Sequence, residues 1–153
     1  IVEREAGRES STSQTLPKGS ERILLVDDEP AIATMAARLL ERLGYKVTAK
    51  TSPKEALDLF RSQPDQFDLI ITDYTMPQIV GTQLAKECRQ IRAEIPVIIC
   101  TGHSERLNKE EPGRTYASAV AIKPLDRNQL AVLVREVLDK TTSQSFVIST
   151  SGS

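Results

Sequence analysis

The stretch FDLIITDYTMP, residues 67–77, decides the fold. Its apolar run at residues 69–71 is short and continuous, which is typical of a strand covered on both faces. The run ends on Asp73, although carboxylates are rarely buried unless they have a partner. A second stretch, RILLVDDEP at residues 22–30, repeats the pattern and ends on Asp27 and Asp28. One explanation should therefore account for the acids at the ends of both apolar runs.

Length and composition indicate a globular protein with one main domain. A chain of 153 residues can bury a proper core, and 39% apolar with 27% charged residues is an ordinary balance. The net charge of −1 gives no broad field that favours nucleic acid or an anionic membrane. Residues 1–10, IVEREAGRES, carry charges where a signal peptide needs its apolar segment. We therefore expect a cytoplasmic location without nucleic-acid or direct membrane contact.

The chain divides into three segments by composition. Residues 1–20 are polar, contain Gly and Pro, and lack an apolar period, so a disordered linker is predicted there. Residues 21–140 form the predicted domain, and residues 141–153 are predicted to be a disordered tail. Because the first residue is Ile, we expect a fragment of a longer protein. Cys88 and Cys100 lie in apolar stretches without metal spacing, which predicts buried free thiols.

Strands and helices are predicted to alternate along the domain. The strand-like runs are RILLV, YKVTA, FDLIIT, PVIIC and ASAVAI. Between them, apolar residues recur at spacings of three and four, as on one face of a helix. The first helical stripe comprises Ile32, Met35, Ala36, Leu39, Leu40 and Leu43, and the third comprises Val80, Leu84, Cys88 and Ile91. This alternation predicts an α/β fold with a doubly wound, five-stranded parallel sheet and helices on both faces.

Cap and turn residues mark the ends of most of these helices. The signals are Pro30 and Pro53 in first turns, Ser52 with Glu55 and Asp126 with Gln129 at caps, and Gly44 at a helix end. The segment between the last two strands, SERLNKEEPGRTY at residues 104–116, lacks an apolar period and contains Pro112-Gly113. A short helix followed by a loop is predicted for this segment.

Polar residues follow the predicted strands at corresponding ends. Asp27 and Asp28 follow the first strand, Asp73 ends the third, Thr101 follows the fourth and Lys123 follows the fifth. In doubly wound sheets, ligands bind beyond the carboxyl ends of the strands. Singly, each residue could be an ordinary cap, turn former or solvated side chain. Their shared position predicts that the acids lie at the mouth of a site and not in the core.

This set of side chains is suited to phosphoryl chemistry. Three clustered carboxylates raise one another's pKa unless a cation shares the site. Oxygen ligands of this kind favour Mg²⁺ over zinc or copper. Together with a hydroxyl and an ammonium group, a carboxylate can act as a nucleophile and form an aspartyl-phosphate.

On these residues the chain resembles the receiver domain of two-component signalling, over roughly residues 21–140. The motifs that carry the resemblance are VDDEP, ITDYTMP, CTG and IKP, in the order of that family. The resemblance implies a flavodoxin-like sheet with strand order 2-1-3-4-5. It also implies a histidine kinase or histidine phosphotransfer protein as phosphodonor and a downstream protein or domain as output partner.

The resemblance further implies a role for each site residue. Asp73 would be the phosphoacceptor, and Thr101 and Lys123 would contact the phosphoryl group, giving Asp73, Thr101 and Lys123 as catalytic residues. Mg²⁺ would be bound by Asp28 and Asp73 directly, by Asp27 through water and by the backbone carbonyl of Thr75. The Lys123–Pro124 peptide bond is expected to be cis. The domain itself would catalyse only its own phosphorylation and dephosphorylation, whereas the parent chain could be a histidine kinase.

The sequence departs from the family at the residues that usually transmit the signal. The position three residues before the strand-five Lys is Val120 here, where the family usually has Tyr or Phe. The nearest aromatic residue is Tyr116, and the segment before it is irregular. We therefore expect a muted switch or a different output surface. His103 is expected to line the loop near the site, and a homodimer through the strand-five face is an option that the resemblance leaves open.

Several alternatives remain at this stage. The polar leader that runs into the first strand favours the C-terminal receiver of a hybrid sensor histidine kinase over a stand-alone single-domain regulator. A haloacid-dehalogenase enzyme would need an Asp-x-Asp pair after the first strand, and the chain has adjacent acids there. Nucleotide binding would need a glycine-rich phosphate loop, which is absent from the sequence. A receiver-like module that binds proteins without phosphorylation is the rival from another class.

Overall fold

The computed structural model describes residues 16–102 and 116–152, with side chains up to residue 140. The strands are β1 (Arg22–Val26), β2 (Lys46–Lys50), β3 (Leu69–Asp73), β4 (Val97–Thr101) and β5 (Ala119–Ile122). The helices are α1 (Pro30–Arg42), α2 (Pro53–Ser62), α3 (Gly81–Ile91) and α4 (Arg127–Gly152), with a 3₁₀ turn at Pro64–Gln66. His103 and almost all of the segment at residues 104–116 lie outside the described residues.

The five strands form one sheet in the order β2-β1-β3-β4-β5, and all four neighbouring pairs are parallel. Their register places the carboxyl ends of the strands at one edge. Val26 pairs with Thr72 of β3, and Thr101 of β4 pairs with Ile122 of β5. The predicted fold class and strand order are therefore confirmed.

The sheet has a hydrophobic core on each face. Strand residues such as Leu25 and Ile71 pack with α1 and α4, whereas Leu24 and Ile70 pack with α2 and α3. All five residues of the central strand β3 are buried. Burial of one large aliphatic side chain contributes about 1.5–3 kcal/mol, so these two layers hold the strand ends in place.

Local signals in the sequence correctly predicted most helix ends. The Ser52 hydroxyl accepts a hydrogen bond from the backbone N–H of Glu55 at 3.2 Å. An Asp126 carboxylate oxygen likewise accepts from the N–H of Gln129 at 3.0 Å. Gly44, which follows α1, has a φ of 102°, a conformation that strongly favours glycine.

The prediction for α1 was wrong at one edge of its apolar stripe. Met35 is 51% exposed, whereas Ala33 is fully buried and faces the core. An apolar stripe of this width extends past the buried face, so its outermost side chain reaches the surface.

The two cysteines are buried and free, as predicted. Burial raises the pKa of both the Cys88 and the Cys100 thiols to about 12. Both thiols therefore stay protonated and unreactive at neutral pH.

Val80 was predicted to lie in the buried stripe of the third helix, and this was wrong. It is the N-cap of α3, is 41% exposed and has no side chain able to cap the helix. Its extended backbone (φ −81°, ψ 158°) is the conformation from which a serine hydroxyl reaches the first free N–H groups of a helix.

Replacing Val80 with Ser is therefore expected to stabilise the protein. We expect the free energy of unfolding to rise by about 0.5–1 kcal/mol because one unpaired N–H of α3 gains an acceptor. Urea unfolding measures the difference, and Val80→Ala serves as the control that removes the side chain without adding a cap. Equal stabilities of the Ser and Ala variants would contradict the capping explanation.

The last helix is longer than the sequence pattern indicated. α4 continues to Gly152, beyond the boundary predicted at residue 140. The tail was predicted from residue 141 on composition, but residues 141–151 contain no Pro or Gly that would break a helix. Within the described ranges, no helix combines the length and the apolar character needed to cross a membrane.

Candidate functional site

The three acids singled out in the sequence meet at the carboxyl edge of the sheet. Asp27 and Asp28 directly follow β1, and Asp73 is the last residue of the neighbouring strand β3. One carboxylate oxygen from each lies within 4.8 Å of the other two. Asp27 and Asp73 are buried, at 5% and 7% exposure, and Asp28 is partly exposed. Three negative groups are thus held together where water has only limited access.

Lys123 brings the positive charge to this cluster from the far side of β4. Its Nζ lies 2.9 Å from Asp73 Oδ1 and 3.2 Å from Asp27 Oδ2. The Lys123 backbone N–H donates to the Thr101 carbonyl at 2.8 Å, which fixes the residue just beyond β5. The Lys123–Pro124 bond is cis, as predicted. The ammonium group therefore bridges two carboxylates from different strands.

The environment of Asp73 disfavours its charged form. Burial raises the pKa of the Asp73 carboxyl, the hydrogen bond from Lys123 opposes that rise, and the negative charge of Asp27 adds to it. The net shift is upward. For Lys123, burial lowers the pKa, but the hydrogen bond to Asp73 and the two carboxylate charges outweigh burial and raise it. One ammonium group therefore offsets the repulsion within this cluster only in part.

Two residues that sequence reasoning did not single out support the backbone of Asp73. The Thr72 hydroxyl is buried and donates to the Asp73 carbonyl at 3.0 Å. Gly81, the first residue of α3, donates its N–H to the Tyr74 carbonyl at 2.7 Å. A Cβ atom on Gly81 would lie 2.5 Å from the Asp73 carbonyl oxygen, so only glycine permits this approach. The only signal of this contact in the sequence was a glycine, Gly81, eight residues after Asp73.

Asp27 has its own local support. Its Oδ1 atom accepts a hydrogen bond from the Glu29 N–H at 3.0 Å, at the start of α1. The same carboxylate presents Oδ2 to Lys123. The turn between β1 and α1 therefore sets the orientation of this acid.

The remaining predicted site residues differ in position. Thr101 is fully buried as the last residue of β4. Thr75 lies exposed in the loop after β3, two residues beyond Asp73, and its role as a metal ligand stays a prediction. Val120 is half-buried on β5, and Tyr116 packs against the core on the α2–α3 side of the sheet. His103 lies outside the described residues.

The arrangement has the donor chemistry of a hard-metal site. Its three candidate ligands are carboxylates, which suit Mg²⁺ better than softer metals. A metal ion bound there would lie beside the carboxylate of Asp73 and the ammonium group of Lys123. The residues present therefore fit a divalent cation next to a nucleophilic oxygen.

Comparisons with known proteins show which proteins the chain is similar to. The chain is 31% identical to Sensor kinase CckA of Brucella abortus over 122 residues, which is 80% of this chain and 13% of that protein. It is 35% identical to Transcriptional regulatory protein ZraR of Escherichia coli over 121 residues, 79% of this chain and 27% of that protein. The chain thus spans only a small part of these relatives.

A solved structure gives the same result for the fold. The receiver domain from Hybrid Histidine Kinase CckA is 34% identical and superposes with a TM-score of 0.64, covering 76% of this chain and 98% of that one. The sequence model of the family described as the response regulator receiver domain matches residues 23–135, which include all the acids of the site and every strand except the first residue of β1. The chain therefore belongs to the response regulator receiver domain family.

Proposed function

We propose that the domain accepts a phosphoryl group on Asp73 from a phosphohistidine, with Mg²⁺ bound at the three acids. The observation that carries the proposal is the position of the Asp73 carboxylate, 2.9 Å from Lys123 Nζ and within 4.8 Å of two further carboxylates. A structural ion pair would need only one acid. Two additional acids at the same point raise the electrostatic cost unless a metal ion and a phosphoryl group use them.

The transfer is a nucleophilic displacement at phosphorus. A carboxylate oxygen of Asp73 forms the new O–P bond, and the N–P bond to the donor imidazole breaks with its electron pair going to nitrogen, which takes up a proton from solvent. Asp27, Asp28 and Asp73 would hold Mg²⁺, with the Thr75 carbonyl as a further ligand. When bound, Mg²⁺ neutralises charge on the phosphoryl oxygens.

Lys123 and Thr101 act on the product of this step. The ammonium group of Lys123 already contacts Asp73 Oδ1, so it can pair with a phosphoryl oxygen on the same carboxylate. Thr101 ends the strand between Asp73 and Lys123, and its hydroxyl would donate to another phosphoryl oxygen. Together the two residues would stabilise the acyl phosphate relative to the free carboxylate.

The relatives support a proposal for the donor and the parent protein. Sensor kinase CckA and the hybrid kinase whose receiver was solved favour a histidine kinase or histidine phosphotransfer protein as donor. They also favour placement of this domain in a hybrid sensor kinase. We propose a cytoplasmic location on the sequence alone. ZraR, a transcriptional regulatory protein, supports the alternative that the domain belongs to a response regulator with its own output.

The muted switch, or the use of an output surface other than the β5 face, stays a prediction. Val120 borders an open cavity of about 600 Å³ between β5 and α4, lined mainly by aliphatic side chains such as Leu125 and Leu133. An aromatic residue at position 120 would fill part of this space. Backbone NMR spectra with and without beryllofluoride test the prediction, and large shifts confined to this face would contradict it.

Labelling by a small phosphodonor tests the function itself. The protein is incubated with acetyl phosphate and Mg²⁺, and its intact mass is measured with and without EDTA. A gain of one phosphoryl group that requires Mg²⁺ is the expected result. Binding of Mg²⁺ without any mass gain would instead favour the protein-binding module.

A further inference from the structure

Residues 16–21, which precede β1, pack and hydrogen-bond at the edge of the sheet opposite the acids. We call residues 16–21 the leader. Leu16 packs against the core on the α1–α4 side. The Gly19 N–H donates to the Leu43 carbonyl at 3.1 Å, and the Lys46 N–H donates to the Glu21 carbonyl at 3.0 Å. The leader is thus built into the domain, although its composition predicted a linker.

Arg135 of α4 binds the leader at two places. Its guanidinium donates to the Lys18 carbonyl at 3.0 Å and to both carboxylate oxygens of Glu21, at 3.2 and 2.7 Å. Its Nε atom also donates to Asp139 one helical turn later, at 3.0 Å. The Arg135 and Glu21 side chains are only 22% and 30% exposed. A two-point carboxylate contact of this kind fixes orientation as well as distance.

The titration of Glu21 agrees with this contact. The hydrogen bond from Arg135 lowers the pKa of the Glu21 carboxyl more than partial burial raises it. Glu21 therefore stays ionised and paired with Arg135 throughout the neutral range.

The leader approaches its neighbours closely at two glycines. A Cβ atom on Gly19 would collide with both the Arg135 guanidinium and the Tyr45 ring. On the other side, a Cβ atom on Gly44 would collide with the Gly19 carbonyl. The leader backbone therefore passes closely between α4 and the α1–β2 turn, and a side chain at residue 19 would require the neighbouring Arg135 and Tyr45 side chains to shift.

The same helix begins next to the acidic site. α4 starts at Arg127, four residues after Lys123, whose ammonium group pairs with Asp27 and Asp73. Arg135 lies eight residues further along, about 12 Å at 1.5 Å per residue. One rigid helix thus connects the site at one edge of the sheet with the leader at the other.

We propose that Arg135 makes the leader and α4 one moving unit, so that a change at Lys123 is passed to residues 16–21. The leader then moves with the domain and responds to the state of the site. The coupling is reciprocal, because any restraint on the leader must alter the site by the same free energy. Phosphoryl transfer is not required for this coupling, so its failure would leave the proposal standing.

Amide hydrogen exchange tests whether Arg135 holds the leader in place. In Arg135→Gln, the Gly19 and Lys46 amides are expected to exchange about tenfold faster, since a charge-assisted contact is lost at a local opening site. Arg61→Gln is the matched control, because Arg61 pairs with Asp58 at 3.4 Å on the exposed surface of α2. Equal exchange in Arg135→Gln and the wild type would overturn the proposal.

A double-mutant cycle tests the coupling to the site. In the wild-type background, Lys123→Met is expected to change the exchange rates of the Gly19 and Lys46 amides at least threefold. In the Arg135→Gln background, it is expected to leave these rates unchanged. Lys123→Arg, which keeps the charge but changes the geometry, replaces it if the Met variant does not fold. If the effects of the two substitutions on these exchange rates are additive, or if Lys123→Met has no effect on them, Arg135 only holds the leader in place and the proposal is overturned.

Discussion

Asp73→Asn is expected to gain no phosphoryl group under conditions that label the wild-type protein completely. An amide oxygen carries no negative charge and is a far weaker nucleophile than a carboxylate, while its size and shape preserve the surrounding packing. Intact mass after incubation with acetyl phosphate and Mg²⁺ measures the difference. Among the predictions made for this protein, this loss is the most complete, because it removes the group that forms the new bond.

The matched control is Asp68→Asn, on the same chain and at the opposite edge of the sheet. Asp68 pairs with Arg22 at 3.4 Å and lies away from the three acids. It should leave labelling unchanged. Residual labelling of Asp73→Asn at the wild-type level would assign the acceptor to Asp27 or Asp28 and would disprove the role of Asp73.

The same substitution should also change how stability depends on pH. Because the pKa of Asp73 is raised in the folded state, its contribution to stability is complete below the unfolded-state pKa and is lost as the pH rises through the folded-state pKa. Asn does not titrate. Asp73→Asn should therefore be more stable than the wild type above the raised pKa, and this advantage should disappear in acid. Urea unfolding across this pH range measures both.

The fold was predictable because several local signals agree with one another. Continuous apolar runs, helical stripes and caps such as Ser52 and Asp126 all imply the same alternation of strands and helices. Parallel strands then bring residues after β1, β3 and β5 to one edge, so the meeting of Asp27, Asp73 and Lys123 follows from topology alone. No distance had to be known to expect it.

Features that depend on tertiary contact were not predictable. Arg135 and Glu21 are 114 residues apart in sequence, and neither belongs to a periodic pattern that would reveal the pair. The contacts of residues 16–20 were not predictable from composition either, because they depend on Gly19 lying between α4 and the α1–β2 turn; the linker predicted for residues 1–20 as a whole stays a prediction. The role of Gly81 was not predictable either, because it depends on the close approach of Gly81 to the Asp73 carbonyl, which the sequence does not show.

Lys123→Met is expected to lower the free energy of unfolding by about 2–4 kcal/mol at neutral pH, the largest stability loss predicted for this protein. Met keeps most of the length of the side chain but removes the charge that pairs with Asp27 and Asp73 at 3.2 and 2.9 Å. Two buried carboxylates and a third nearby then repel one another without compensation. Urea unfolding measures the loss, and Lys54→Met on the exposed surface of α2 should change stability by no more than about 0.5 kcal/mol.

The response of Lys123→Met to acid and to Mg²⁺ identifies the cause of its instability. Without the ammonium group, the pKa of Asp73 should rise further, so the loss should be greatest above that pKa and shrink as the carboxyl protonates. Mg²⁺ should restore stability at neutral pH, because a divalent cation replaces the missing charge and binds only the folded cluster. A loss that persists unchanged in acid and in Mg²⁺ would mean that Lys123 acts through packing of its aliphatic stem. Recovery under both conditions would mean that the acids form a cation site for which Lys123 compensates only in part.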